Sequence, residues 1–255
     1  MKVSIVTVVY NRKETIASAL ESVLSQTYSD VEYIVVDGAS TDGTCEIIEK
    51  YKDKITRFIS ESDKGMYDAL NKAIKIATGE VVGILHSDDV FSSNRIIEEI
   101  AAEFKKDNSL DCTYGDVAFV NRAKDNRIVR YYSSANFSVY KFAQGFMPAH
   151  TSFFCKKRCF DHFGYYDLQY SISSDFDLLV RFLGIQAIKS KYIPLCTTYM
   201  AFGGKSTSGP SATFQINQQF HRILRFHNIK SNYWMLYSRY FRKLLEFFQS
   251  RTLSK

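Results

Sequence analysis

An α/β fold on a largely parallel sheet is what the first 110 residues of this chain predict, and two observations carry the expectation. Short apolar runs rich in β-branched residues alternate with segments of helical periodicity. The runs are nearly continuous, which marks strands covered on both faces. The clearest is in EVVGILHSDDV (80–90), where Val81, Val82, Ile84 and Leu85 end abruptly at His86-Ser87-Asp88-Asp89. The second observation is how the runs end. The first stops at Tyr10-Asn11, the second at Asp37, the third leads to Glu61, Asp63 and Lys64, and the fourth ends at Asp88-Asp89. Open α/β sheets bind ligands beyond the carboxyl ends of their strands, so these polar endings predict a site on one rim.

Residues 3–9, VSIVTVV, read as the first strand. Asn11 and Glu14 have capping-box spacing and predict a helix to about Gln26, its stripe formed by Ile16, Ala19, Leu20, Val23 and Leu24. Val31–Val36 is the second strand; GASTDGT turns into a helix over Cys45–Lys52, and a third strand lies near Arg57–Ser60. In ESDKGMYDALNKAIKIATG, Ala69, Leu70, Ala73, Ile74 and Ala77 give a helix closed by Gly79. After the fourth strand, Asn94–Lys106 is helical. The βαβ order predicts right-handed crossovers.

Beyond residue 110 the regularity weakens. CTYGDVAFV and RIVRYY read as strands about a charged turn, Asn121–Asn126. SSDFDLLVRFLG reads as a helix start, with Ser173 or Ser174 as cap and Asp175 and Asp177 in the favourable first turn. Ile188–Tyr199 returns as strand, followed by a loop, GGKSTSGPS, a helix from about Thr213 to His227 and a last helix from about Asn232.

Composition narrows the function. Apolar residues make up 45% of 255, enough for a large core, and no run reaches a membrane-spanning length. MKVSIVTVVYN lacks a small-residue cleavage site and reads as a strand rather than a signal peptide. Five scattered cysteines, Cys45, Cys112, Cys155, Cys159 and Cys196, with no CxxC, point to reduced thiols in a cytosol-facing compartment. Cys155 and Cys159 read as thiols of one helix face. The net charge of +6 sits in the tail: His221–Lys255 holds eight Lys or Arg against Glu246 alone, which leaves 25 basic and 26 acidic residues in the first 220. Such a tail could meet anionic lipid, nucleic acid or water. Tyr237, Tyr240, Phe241, Leu244, Leu245 and Phe248 form an apolar stripe there, suited to a lipid interface or to a packing partner.

No GxGxxG, P-loop or GxSxG elbow is present. Adjacent carboxylates at a strand end suit a hard divalent cation, and the plain alternative is a solvated turn in which Asp88 or Asp89 caps the next helix.

Taken together, SIVTVVYN, VDGASTDGT, SESDKGMYDALNKAI, ATGEVVGILHSDD, GFMPAHTSFF and SSDFDLLVR resemble, in this order, the family-two inverting glycosyltransferases that use nucleotide sugars, in particular bacterial enzymes of surface-polysaccharide synthesis. The resemblance covers about residues 1–205. It implies the GT-A fold, a Rossmann-like, mostly parallel sheet flanked by helices, here with a C-terminal helical extension. Residues 1–110 would bind the nucleotide sugar, 111–210 the acceptor, and 211–255 would form basic amphipathic helices.

It implies roles as well. Thr7, Tyr10, Asn11, Asp37, Lys64 and Asp88 would bind the nucleotide sugar, with Tyr10 flanking the base and Asp37 accepting from it, as uracil would require. Asp89 would bind Mg²⁺ or Mn²⁺, which bridges the diphosphate. Ser87 stands where a strict Asp-x-Asp has its first carboxylate. Asp175 would be the general base. His150, Asp177 and Gly203-Gly204 fall in segments near acceptor or diphosphate. The partners implied are a nucleotide-sugar donor and a glycan or lipid-linked acceptor, at a cytoplasmic or inner-membrane location, with residues 211–255 as the membrane or oligomer contact. Nucleic acid has no supporting motif. A sugar nucleotidyltransferase and a non-catalytic sugar-nucleotide binder are the rival readings. VVYNRKET has no glycine for the first, and metal-dependent UDP release separates the second.

Overall fold

The computed structural model describes residues 1–121, 127–202 and 209–240. The predicted turn at 122–126, the glycine pair at 203–204 and the tail stripe beyond Tyr240 lie outside them.

Four strands open the fold: β1 (Val3–Val9), β2 (Val31–Asp37), β3 (Arg57–Ser60) and β4 (Val81–Ile84). They lie parallel in the order β3-β2-β1-β4, with Val3 opposite both Val31 and Val81. Both faces are covered, which is why the runs carry no polar alternation. Val6, Val8, Ile34, Val36, Val82 and Ile84 pack under α3 (Met66–Ile76). Val3, Ile5, Val9, Val35, Val81 and Leu85 pack under α1 (Ile16–Leu24), α2 (Thr44–Glu49) and α4 (Ile96–Lys106). Each fully buried Leu or Ile among these contributes about 1.5–3 kcal/mol.

The parallel order ends at β4. β5 (Val90–Phe91), β6 (Cys112–Asn121), β7 (Arg127–Tyr132), β8 (Phe154–Lys156) and β9 (Ser190–Ala201) extend the same sheet as β4-β8-β6-β9-β5. β8 is antiparallel to both β4 and β6, β9 is parallel to β6, and β7 pairs antiparallel with β6. The sheet is therefore mixed and continuous across residue 110. β6 shifts register around Asp116, whose carboxylate accepts from Tyr131, Ser133, Tyr192 and the Ser134 N–H.

Three local expectations are corrected. Asn11 does not cap a helix: it adopts a left-handed φ of 51°, and α1 starts later, at Ile16. α3 stops at Ile76 with an extended Ala77, so Gly79 is not its C-cap. A side chain at Gly79 would lie 2.6 Å from Ser4 Oγ and 2.7 Å from Ser4 N, and that crowding is what requires glycine. Cys155 lies in β8 and Cys159 in α5 (Lys157–Phe163), not on one helix face; all five thiols are free.

α6 (Ser174–Leu179) runs on into a π-helical turn over Val180–Ile185. α7 (Pro210–Phe226) packs on it, and residues 233–240 form a further helix. That helix is seated on the body. Leu236 is buried, and Arg239 donates to Gly145 O and Asn217 Oδ1 while covering the Phe220 ring.

Candidate active site

The ends of β1 to β4 form one rim. At the end of β1 the chain is knitted to the loop after β2. The Asn11 N–H donates to Ser40 Oγ, and Asn11 Oδ1 accepts from Thr41 N. Arg12 N donates to Thr44 Oγ1 and Lys13 N to Asp42 Oδ2. Tyr10, immediately before, is 60% exposed, a ring left open to stack on a planar ligand. Asp63 and the exposed Lys64 lie in the loop between β3 and α3.

Two residues expected on the rim lie beneath it. Thr7 is fully buried and its hydroxyl pairs with Tyr33 OH at 3.0 Å, a core contact. Asp37 is 0% exposed. Its Oδ2 accepts from Ser40 N, Ser60 Oγ and Cys45 Sγ, and its Oδ1 from Ser40 Oγ. Burial opposes its charge, but these donors outweigh burial and hold its carboxyl below the usual carboxylate range. Asp37 braces the loop that Asn11 grips.

Past β4 the chain turns back, with Asp89 N donating to His86 O. Asp89 is 2% exposed, and its Oδ1 accepts from Ala201 N at the end of β9, which orients the carboxylate. Asp88 is partly exposed beside it. Among the described residues no group of three or more His, Cys, Asp or Glu is arranged to hold a metal ion.

Facing this rim is a chain of side chains from four separate segments. His86 Nε2 lies 2.8 Å from His150 Nε2. His150 Nδ1 lies 3.2 Å from Asp175 Oδ2. Asp175 Oδ1 accepts from its own helix at Phe176 N (2.9 Å), and the single Tyr67 O–H is shared between Ile172 O at 2.7 Å and Asp175 Oδ1 at 3.1 Å. Burial disfavours charge on Asp175, but the His150 ring, the Phe176 N–H and the Tyr67 hydroxyl outweigh it and lower the pKa. Burial likewise disfavours charge on His150, and Asp175 reverses that, raising its pKa. Burial and the adjacent His150 push His86 down to about 3. The protonation pattern follows: His150 donates from Nδ1 to an ionised Asp175, and His86 is neutral. A carboxylate has about four acceptor positions. Three are filled here, so Asp175 Oδ2 retains one for an incoming hydroxyl, with the side chain 13% exposed.

Asp177 takes no part in this chain. It turns to the other side of α6, where Arg181 Nε and His227 Nε2 bind its two oxygens at 2.8 and 2.9 Å. Sequence reasoning missed His86 and Tyr67. Their partners lie 64 and 108 positions away, and no spacing signal reports such pairs.

The sequence pattern of Glycosyl transferase family 2 matches residues 4–161, more than half of the chain. The chain belongs to glycosyl transferase family 2. A PGL/p-HBAD biosynthesis glycosyltransferase of Mycobacterium tuberculosis is 27% identical over 209 residues, covering 80% of this chain and 79% of that one. The Escherichia coli glucosyltransferase WfaP, named for UDP-Glc and α-D-GlcNAc-diphosphoundecaprenol, is 43% identical over 99 residues, 38% of this chain and 39% of WfaP. Among solved structures, S. aureus TarS 1-349 with UDP-GlcNAc superposes with a TM-score of 0.66 at 19% identity, over 88% of this chain and 66% of that one. That likeness establishes the GT-A architecture, and the family match makes this protein a glycosyltransferase.

Proposed function

We propose that this family-2 enzyme transfers a sugar from a UDP-sugar to a hydroxyl of a lipid-linked or glycan acceptor, with inversion at the anomeric carbon, in the synthesis of a surface polysaccharide or glycolipid. The observation that carries the reading is Asp175, ionised, held on three sides and with one acceptor position left. Such a carboxylate can take the proton of an attacking hydroxyl. A single displacement by that hydroxyl inverts the centre, and no covalent nucleophile is needed.

Asp89, with Asp88, would hold a divalent cation. The donor set fits a metal that takes few protein ligands and completes its shell with phosphate oxygens and water, as Mg²⁺ does. When bound, the ion would stabilise negative charge on the departing diphosphate. The open Tyr10 ring would stack on the base. The UDP choice draws on WfaP, named for UDP-Glc, and on TarS with UDP-GlcNAc.

Membrane proximity draws on the surface of α7 and the segment after it. Trp234 is 87% exposed and Phe226 69%, with Arg222, Arg225 and Lys230 in the same stretch. Aromatic and basic residues together suit a lipid headgroup region. Among the described residues no helix is long and apolar enough to cross a membrane.

The test is UDP release from a panel of UDP-sugars, with Mg²⁺ or Mn²⁺ and a GlcNAc-diphosphate-lipid acceptor, the product's anomeric coupling then being read by NMR. Acceptor-dependent release with an inverted product supports the proposal. A retained configuration, or release that ignores the acceptor, overturns it.

A further inference from the structure

α7 lies beyond the residues that the family pattern matches, yet it takes hold of the segment that carries Asp175. The Phe220 ring stacks on Phe176 with 3.7 Å between centroids, His227 Nε2 binds Asp177 Oδ1, and Arg222 Nη2 donates to Gln169 Oε1. The Gln219 side chain reaches the backbone instead. Its Oε1 accepts from Ile172 N at 3.2 Å and from Ser173 N at 3.1 Å, and its Nε2 donates to Ser171 Oγ. In a trans peptide the N–H and the C=O point in opposite directions. The bond from Ser173 N to Gln219 therefore aims the carbonyl of the same peptide, Ile172 O, the other way, where Tyr67 OH lies 2.7 Å from it. Tyr67 has one hydrogen to give. Ile172 O makes the shorter contact with it, and Asp175 Oδ1 the longer, at 3.1 Å.

We propose that Gln219 is a positioning residue for the transfer: by fixing the Ile172–Ser173 peptide it draws the Tyr67 hydrogen onto Ile172 O and so spares Asp175. The inference rests on the reading of Asp175 as the base and deepens it. A hydrogen bond to a carboxylate favours the ionised form and weakens the group as a proton acceptor. With the peptide free to turn, the Tyr67 hydroxyl would swing wholly to Asp175, which His150 and the Phe176 N–H already hold. The base would then be weakest where the acceptor hydroxyl must give up its proton. Gln219 acts on the base and on neither substrate, so its effect falls on kcat and not on the acceptor's KM.

The test is acceptor-dependent UDP release by the full chain and its variants, with kcat and acceptor KM determined separately and UDP affinity read by calorimetry. Gln219→Met keeps the length of the side chain and removes its acceptor oxygen. Phe220, Arg222 and His227 still hold α7, so the fold should persist. Its kcat should fall by about tenfold, with acceptor KM and UDP affinity within about twofold of wild type. Gln219→Glu keeps an oxygen for both N–H groups and should retain kcat. Tyr67→Phe removes the contested hydrogen. Adding Gln219→Met to it should cost little more, a non-additivity that loss of packing alone would not produce. A folded Gln219→Met with wild-type kcat, a Gln219→Glu as slow as Gln219→Met, or a full extra loss in the Tyr67→Phe background would each overturn the proposal. A nearly active Asp175→Asn would instead remove the base reading, and this proposal with it.

Discussion

His150 Nδ1 and Asp175 Oδ2 stand 3.2 Å apart at the meeting of a 3₁₀ turn and the first turn of α6, and each favours the other's charged form against the burial that opposes it. As the proposed base, a carboxylate locked this way would be ready to accept a proton but would be a weak acceptor. The proposed reaction would therefore draw on stabilisation of the leaving diphosphate as well.

Asp175→Asn should lower transfer to acceptor by about 10²- to 10⁴-fold and leave UDP binding within a few fold of wild type. Asp177→Asn should behave differently, because that carboxylate binds Arg181 and His227 in a buried cluster. Its effect should appear in stability, at about 3 kcal/mol, with kcat of the folded fraction little changed. Paired transfer assays, UDP calorimetry and denaturant melts read the contrast. A nearly active Asp175→Asn beside an inactive, UDP-binding Asp177→Asn would move the base.

The His150–Asp175 pair makes stability depend on pH in a defined window. His150 has a raised pKa, so its contribution is complete below its ordinary value of 6.5 and is lost as pH rises through the raised value. Asp175 has a lowered pKa, so its contribution is complete above 3.8 and is lost as pH falls through the lowered value. The difference in melting temperature between wild type and His150→Gln should be largest between about pH 4 and 6.5 and shrink on the alkaline side. A difference that grew with rising pH would contradict the pairing.

Asp89→Asn should keep the contact with Ala201 N, since the amide oxygen still accepts, and so should keep the fold. Metal-dependent transfer should nevertheless fall by at least about two orders of magnitude. Activity measured across a titration of Mn²⁺ checks this. Full activity of the variant at limiting metal would remove Asp89 from the metal's ligands.

For the membrane, the sensitive variant is Phe226→Ser with Trp234→Ser. Truncation before Asn232 is a poor probe, because it would remove Leu236 and Arg239 from the body they pack on. Flotation on vesicles containing anionic lipid should recover less of the double variant than of wild type. Equal recovery of the two, both folded, would assign the lipid contact elsewhere or nowhere.

Much of the first half was legible in the sequence. The runs of β1 and β2 and the stripe of α3 are long and regular, and the short run of β4 is marked by its abrupt polar ending, so local pattern reports such segments well. The polar endings of the strands do gather on one rim, and Asp175, the base that the resemblance implies, lies in the first turn of α6. What stayed hidden was contact between distant segments. β8 is three residues long and its place between β4 and β6 leaves no local mark. His86 reads as an ordinary turn residue until His150 is beside it. Asp37 and Asp63 look alike as strand-end carboxylates; only tertiary packing shows one enclosed by hydroxyls and the other open over Gly38.

The insertion of β8 between β4 and β6 sets a timetable for synthesis. β4 is complete at Ile84, yet the strand that pairs with its outer side begins at Phe154, and β5 waits for β9. While the ribosome makes the intervening segment, the nascent chain carries a short apolar strand with its backbone donors and acceptors open on one side. Such a strand invites pairing with a neighbouring chain. The same late closure that unites both halves in one sheet thus leaves the outer side of β4 without its native partner until Phe154–Lys156 has been made.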